Sequence, residues 1–252
     1  MYKYILFDFD GTVFDTVEGI TKSVQYALAK RGIEAELDSL RCFAGPPLVD
    51  MFMEKFDLTQ EEAEAATEDF RERYQPIGLY ECRVFPGIKE LLRALIDAGL
   101  HVGIATSKPQ HLAEKLLGDE GMLELFEVIS GSDSDGNNNS KAAVLTRAMN
   151  ALGADKKETV LVGDTKYDVA GAKACGVDCI GVRYGYAAEG ELASAGADHI
   201  VNDLQQLKAL LLNEEGESMF RPMRRKTRAI SDEAAKALLL NEKRGILAVN
   251  GD

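Results

Sequence analysis

The chain has 252 residues, 46% of them hydrophobic, and 29 Lys and Arg against 42 Asp and Glu, for a formal net charge of −13. That length and apolar share suffice for one sizeable core with an accessory domain, and the acidic balance argues against holding a nucleic-acid polymer on a basic face. A single nucleotide as a ligand stays open. The only early apolar run is too short for a secretory core or a membrane span, so the expectation is a cytoplasmic protein with no membrane partner. Cys42, Cys82, Cys175 and Cys179 are dispersed, without a CxxC or Cys/His pair to complete a zinc site. They read as free thiols, and His101, His111 and His199 as structural or surface residues on separate elements.

The first predicted element is a buried strand over 4–7, and it runs directly into Asp8-Phe9-Asp10-Gly11-Thr12. Two carboxylates two residues apart in an extended chain leave the strand end on the same side. One is placed to attack while the other moves protons. Gly11 supplies the tight turn, and Thr12 offers a hydroxyl and an N–H beside the pair. The chain then reads as helix from about Val17 to Tyr74: Ile20, Val24 and Leu28 form one stripe, and Ala63, Ala66 and Phe70 mark a later helix. Gly45-Pro46-Pro47-Leu48 interrupts these helices as a rigid loop. The strand signal is missing up to Pro86-Gly87, which makes 17–83 a helical insert.

Beyond it, apolar runs at 101–105, 126–130, 159–162, 179–183 and 199–201 alternate with helix-period segments at 88–98, 109–118, 140–152, 167–175, 189–195 and 203–212. This alternation predicts an α/β fold, a Rossmann-like doubly wound parallel sheet built from 1–16 and 84–213. Groups at the carboxyl ends of such strands converge on one crevice. Asp8, Thr106 and Asp164 are expected to meet there.

The last segment changes character. Residues 1–216 carry 21 basic against 37 acidic side chains, whereas 217–252 carry 8 against 5. A basic stretch, Met219 to Lys226, precedes a helix start at Ser231-Asp232-Glu233. Gly245 to Val249 then reads as a strand stopped by the turn signal Asn250-Gly251.

The segment around Asp8 resembles the first motif of the haloacid-dehalogenase-like hydrolases, and three further motifs of that family follow in order. Val102 to Pro109 resembles the strand that ends in a phosphate-binding hydroxyl, here Thr106. Lys141 resembles the lysine that opens a helix after a turn-rich stretch, here Gly131 to Ser140. Val160 to Asp168 resembles the family's Gly-Asp-x-x-x-Asp loop. The resemblance covers about residues 1–213. It implies a phosphatase of small phosphate monoesters in which Asp8 is the nucleophile, Asp10 the acid and base, and Thr106 and Lys141 further catalytic groups. Gly11, Thr12, Thr106, Ser107 and Lys141 would bind phosphate. Mg²⁺ would be held by Asp8, the backbone carbonyl of Asp10 and Asp164, with Asp168 behind them. The insert resembles the family's small α-helical cap, which makes Gly45, Pro46 and Leu48 specificity candidates.

Cys42 to Leu48, Ala105 to Pro109 and Gly181 to Tyr186 look like the 5′-nucleotidase-like subgroup. Phosphoglycolate phosphatase is the close alternative, although Lys141 is followed by Ala142-Ala143-Val144 rather than that group's Pro-x-Pro. A sugar-phosphate phosphatase, a phosphomutase and a noncatalytic binding protein complete the alternatives. Asp10 argues against dehalogenation, which lacks a leaving oxygen to protonate. The segment 214–252 resembles the opening of FMN-binding split-barrel proteins related to pyridoxamine-phosphate oxidases, and is expected to be a truncated fusion segment that binds no FMN.

Overall fold

A computed structural model of the chain describes residues 1–133 and 140–213. The readings made for the basic tail, and for most of the turn-rich stretch before Lys141, lie outside the described residues.

Strand β1 (Tyr4–Phe7) leads through a turn to a two-residue strand β2 (Phe14–Asp15) and then to α1 (Val17–Ala29). A 3₁₀ segment (Leu37–Phe43), α2 (Leu48–Phe56) and α3 (Gln60–Tyr74) follow, and the chain returns through β3 (Arg83–Val84). From there it alternates: α4 (Ile88–Asp97), β4 (His101–Pro109), α5 (Gln110–Asp119), β5 (Val128–Ser132), α6 (Lys141–Leu152), β6 (Thr159–Gly163), α7 (Lys166–Cys175), β7 (Asp178–Val182), α8 (Glu191–Ala195), β8 (His199–Val201) and α9 (Leu204–Leu212). Among the described residues no helix is long and apolar enough to cross a membrane.

Local chemistry sets these boundaries. At α3, Thr59 and Glu62 form a reciprocal capping box, with Glu61 in the first turn and Arg71 and Arg73 in the last, so caps and charges both follow the helix dipole. At α6, the Ser140 hydroxyl accepts from the Ala143 N–H, and Gly153 ends the helix at φ 62°, the left-handed conformation that glycine adopts without strain.

The six long strands form one parallel sheet in the order β5-β4-β1-β6-β7-β8. Both of its faces are covered, which is why its strands read as continuous apolar runs. Ile5, Phe7, Val160 and Val162 face a core shared with α4, α5, α9 and the helices of the insert. Leu6, Ala105, Leu161 and Cys179 face the other way, against α6, α7 and α8. In α4 the buried positions Ile88, Leu91, Leu92 and Leu95 make one i, i+3, i+4, i+7 stripe, and each contributes at most about 1.5–3 kcal/mol of burial. From β1 the sheet grows outward through β4 and β5, then crosses to β6 and grows the opposite way. The loops leaving β1 and β6 therefore diverge and open a crevice at the sheet's carboxyl edge.

Two features differ from expectation. Strand β4 continues to Pro109, four residues past the apolar run, with irregular register between Ala105 and Pro109; its end is polar because it borders the crevice. The antiparallel pair β2–β3, Phe14 with Val84 and Asp15 with Arg83, is too short to leave a period-two signature. It sits where the chain leaves for the insert and comes back, and Arg83 pairs with Asp15 at 2.9 Å.

Gly19, inside α1, donates its N–H to the Glu81 carbonyl at 3.2 Å, and a Cβ on it would lie 1.9 Å from the Gly78 carbonyl oxygen. On an open helix face, Gly→Ala stabilises by about 1 kcal/mol. Here Gly19→Ala should instead destabilise by about 1–3 kcal/mol through overpacking against backbone, as read by urea denaturation. A stability gain would show that α1 and Gly78 are not in such close contact.

Candidate active site

The chain extends the β1 ladder by one residue, with the Asp8 N–H donating to the Val162 carbonyl at 2.8 Å. It then turns sharply: the N–H groups of Thr12, Val13 and Phe14 all donate to the Phe9 carbonyl, and Gly11 takes φ 81°. Phe9, fully buried, stacks on Phe14 at 4.6 Å between ring centroids. Anchored by that ring, Asp8 and Asp10 both emerge beside the crevice.

Two other strand ends and the starts of two helices meet them. Thr106, near the end of β4, is buried, and its hydroxyl accepts from the Lys108 N–H at 3.2 Å. Lys141, the first residue of α6, places Nζ 2.5 Å from Asp8 Oδ1 and 2.9 Å from Asp168 Oδ1. Its stem passes α7 at Gly171, where a Cβ would meet Lys141 Cγ at 2.4 Å. Asp164, after β6, accepts from the Thr12 hydroxyl at 3.2 Å and from the Tyr186 N–H at 2.8 Å. Asp168, in the first turn of α7, accepts from the Thr165 N–H and hydroxyl at 3.0 and 2.8 Å. Its other oxygen, Oδ1, is ion-paired with Lys141.

Burial is costly for this much negative charge. Burial pushes the Asp8 carboxyl up to about 6 against the pull of Lys141, with Asp168 and Asp10 adding repulsion. Asp164 is raised well above the carboxylate range by burial and then by Asp168 and Asp8. For Lys141 burial works against the charge, but Asp168 and Asp8 outweigh it and hold the ammonium above its ordinary value. Ligand oxygens of Asp8, Asp164 and Asp168 all lie within 4.8 Å of one another. Gly11 and Gly185 leave room around Asp164, for a Cβ on either would approach it to 2.2 or 2.3 Å. Three convergent carboxylates in an all-oxygen donor set fit a hard divalent cation.

A cavity of about 1210 Å³ opens beside this cluster, and its walls include Asp8, Asp10, Thr106, Ser107 and Lys141 from the sheet edge. The insert contributes Gly45, Pro46, Leu48, Phe43, Phe70 and Tyr74. Gly11 and Thr12 lie behind the wall, packed on Asp164. His111 borders the cavity, whereas His101 pairs with Glu127 and stacks on Tyr4 at the surface. The four cysteines are free, as their spacing predicts.

Sequence reasoning missed Lys108, which is buried against Asp10 and Tyr74, and Tyr186, whose backbone holds Asp164 while its hydroxyl accepts from the Thr16 N–H at 2.6 Å. Lys108 carried a faint signal as a lone cation at the end of a buried strand. Tyr186 stood in a stretch that resembles the 5′-nucleotidase-like subgroup, but nothing local gave it a role, because its partners lie 22 residues away at Asp164 and 170 away at Thr16.

The pattern of the haloacid dehalogenase-like hydrolases matches residues 5–182, and the chain belongs to that family. A 5′-nucleotidase of Pseudomonas aeruginosa is 41% identical over 211 residues, covering 83% of this chain and 96% of that protein. A plasmid-encoded phosphoglycolate phosphatase of Cupriavidus necator is 35% identical, covering 82% and 92%. The tyrosine-protein kinase PtkA of Mycobacterium tuberculosis is 37% identical over 73% of this chain but only 63% of its own length. Among solved structures, a predicted phosphatase from Clostridium acetobutylicum superimposes with a TM-score of 0.81 at 40% identity, over 84% of this chain and 99% of that one.

The raised Asp164 carboxyl gives a test of the charge strain. In Asp164→Asn the amide oxygen keeps the Tyr186 N–H and the amide NH₂ donates to Thr12, whose hydroxyl reverses. A group with its folded pKa raised stabilises below its unfolded value and loses that contribution as pH rises through the folded one. In chelator, the variant should therefore match the parent near pH 4 and become more stable as pH rises, by about 3 °C in Tm, roughly 1 kcal/mol, at pH 8. Added Mg²⁺ should stabilise the parent and not the variant. A variant less stable than the parent at pH 8 would show that the cluster is not strained.

Proposed function

We propose that this hydrolase is a Mg²⁺-dependent phosphatase of small phosphate monoesters, with a nucleoside 5′-monophosphate as the preferred class of substrate. One observation carries the reading: a buried carboxylate, Asp8, held at a strand end by Lys141 at 2.5 Å, in a cavity wall shared with Asp10, Thr106 and Ser107. The 5′-nucleotidase and phosphoglycolate phosphatase relatives support the reaction class. For the substrate, Phe43 and Phe70 in the cavity walls offer apolar aromatic surface that a nucleoside can use and a two-carbon acid cannot.

In this mechanism an Asp8 carboxylate oxygen attacks phosphorus in line, and the bond from phosphorus to the leaving oxygen breaks as the aspartyl-phosphate forms. Asp10 gives its proton to that oxygen, then takes one from the water that attacks the phosphoenzyme, which releases phosphate and restores Asp8. Lys141 balances charge on the transferring oxygens, and the Thr106 hydroxyl, Ser107 and neighbouring N–H groups bind them. Asp8, Asp164 and the Asp10 backbone carbonyl would hold Mg²⁺, which supplies the positive charge that lets a carboxylate approach a phosphate dianion. Asp168 orients this set through Lys141 and the Thr165 loop. The insert 17–83 acts as a cap on the core formed by 1–16 and 84–213, with Gly45, Pro46 and Leu48 at its contribution to the cavity wall.

Asp8→Asn should abolish release of inorganic phosphate from a nucleoside monophosphate while leaving the melting temperature within a few degrees. Chelation should stop the parent reversibly, with Mg²⁺ restoring turnover. Retained turnover in the variant, or full turnover after exhaustive chelation, would exclude this mechanism. Leu48→Ala should reorder a panel of nucleoside monophosphates, 2-phosphoglycolate and sugar phosphates, with little change on 4-nitrophenyl phosphate. An unchanged ranking would reduce the loop at Gly45 to Leu48 to a structural turn.

A further inference from the structure

We propose that Lys108 is a positioning residue for Asp10, and that Tyr74 of the insert completes its seat. The proposal rests on the reading of Asp10 as the acid and base. Lys108 lies one residue before the end of β4, yet its side chain is only 2% exposed. Its Nζ lies 3.0 and 3.4 Å from the two carboxylate oxygens of Asp10, and it donates to the Tyr74 hydroxyl at 2.6 Å. The ammonium also sits 5.5 Å from the centroid of the Phe9 ring, within reach of its π-face, and meets Tyr74 at the hydroxyl end of the ring rather than over its face. Removing a lysine from water costs several kcal/mol unless partners replace its hydration. Here one carboxylate, one phenol hydroxyl and the Phe9 ring do so.

The arrangement matters to Asp10 more than to Lys108. Asp10 stands on the turn after β1, and among the described residues Lys108 provides the only hydrogen bonds to its carboxylate. A proton donor must come within about 2.6–3.2 Å of the oxygen it serves, and a misplacement of about 1 Å can cost about 100-fold. The aim of the Asp10 carboxylate therefore depends on one lysine, and the lysine is held from opposite sides. Strand β4 supplies its backbone, while Tyr74, the last residue of α3, supplies its second acceptor. The insert thus takes part in aligning the acid through Tyr74, in addition to lining the cavity. Proton transfer is aligned only when α3 is seated on the core.

The test uses the full chain with Mg²⁺ and two esters of similar shape, 4-nitrophenyl phosphate, whose leaving group needs little protonation, and benzyl phosphate, whose alkoxide needs it. Lys108→Met should lower kcat/KM for benzyl phosphate by about 30-fold or more and for 4-nitrophenyl phosphate by less than about 5-fold, a misaligned acid costing less than the roughly 10²–10⁴-fold of one lost outright. In an Asp10→Asn background the same change should cost less than about twofold, because residues that act as a unit are not additive. Tyr74→Phe, which preserves volume and fold, should widen the ratio of the two esters by about threefold even if Lys108→Met is poorly folded. Equal losses on both esters, additive effects with Asp10→Asn, or an unchanged ratio in Tyr74→Phe would each overturn the proposal. If the parent is active but Asp10→Asn itself does not widen the ratio, the acid and base reading falls and takes this one with it. If Asp10→Asn widens the ratio and Lys108→Met and Tyr74→Phe do not, only the positioning role is lost.

Discussion

The constraint on which the rest of this structure depends is charge balance at the carboxyl edge of the sheet. Asp8, Asp10, Asp164 and Asp168 converge there with two buried or nearly buried ammonium groups, Lys108 and Lys141. Four carboxylates against two ammonium groups leave two negative charges in a region where Asp164 and Asp168 have no exposed surface. Water cannot screen them, which is why burial and mutual repulsion drive the Asp8 and Asp164 carboxyls upward. A divalent cation would cancel the excess and let a phosphate ester approach. Clustered acids of raised proton affinity are characteristic of sites prepared for a charged ligand.

The fold exists to hold that cluster in place. Parallel strands buried on both faces fix β1, β4 and β6 beside one another, so their last residues have little freedom. The two lysines come from different layers: Lys141 from a helix on one face, Lys108 from the β4 strand end beneath the insert. Each is paired with a different carboxylate of the first turn, Lys141 with Asp8 and Lys108 with Asp10. The arrangement distinguishes two chemically identical side chains two residues apart. One is deeply buried beside a cluster of acids, and the other is 14% exposed and faces the insert.

Close packing of backbone makes this density possible. Gly11 and Gly185 press on Asp164, Gly163 on Asp168 and Gly171 on Lys141, and at each a Cβ would approach a charged side chain to 2.4 Å or less. These positions are glycine because a charged side chain occupies the volume of the missing Cβ. Tyr186 closes the far side: its N–H binds Asp164, and its hydroxyl meets Thr16 and Asp15 at the start of the insert. One loop thereby touches both the metal-type cluster and the point where the chain departs for its helices.

Much of this was legible in the sequence because the signals are local. Apolar runs alternating with helix-period segments define a doubly wound sheet, and a strand followed by Asp8-Phe9-Asp10-Gly11 marks the strand end at which the candidate site lies, since both depend on neighbours within a few residues. The interruption at Gly45 to Leu48 was visible for the same reason: proline removes a donor wherever it stands. Tertiary structure alone decided the rest. Lys108 became the partner of Asp10 across 98 positions and of Tyr74 across 34, and the Tyr186 N–H found Asp164 across 22. The short pair β2–β3 formed only because the insert brings its two ends together. No periodicity encodes such contacts, because they arise where the ends of separately specified elements meet, and what they share is a position in space rather than a spacing in the chain.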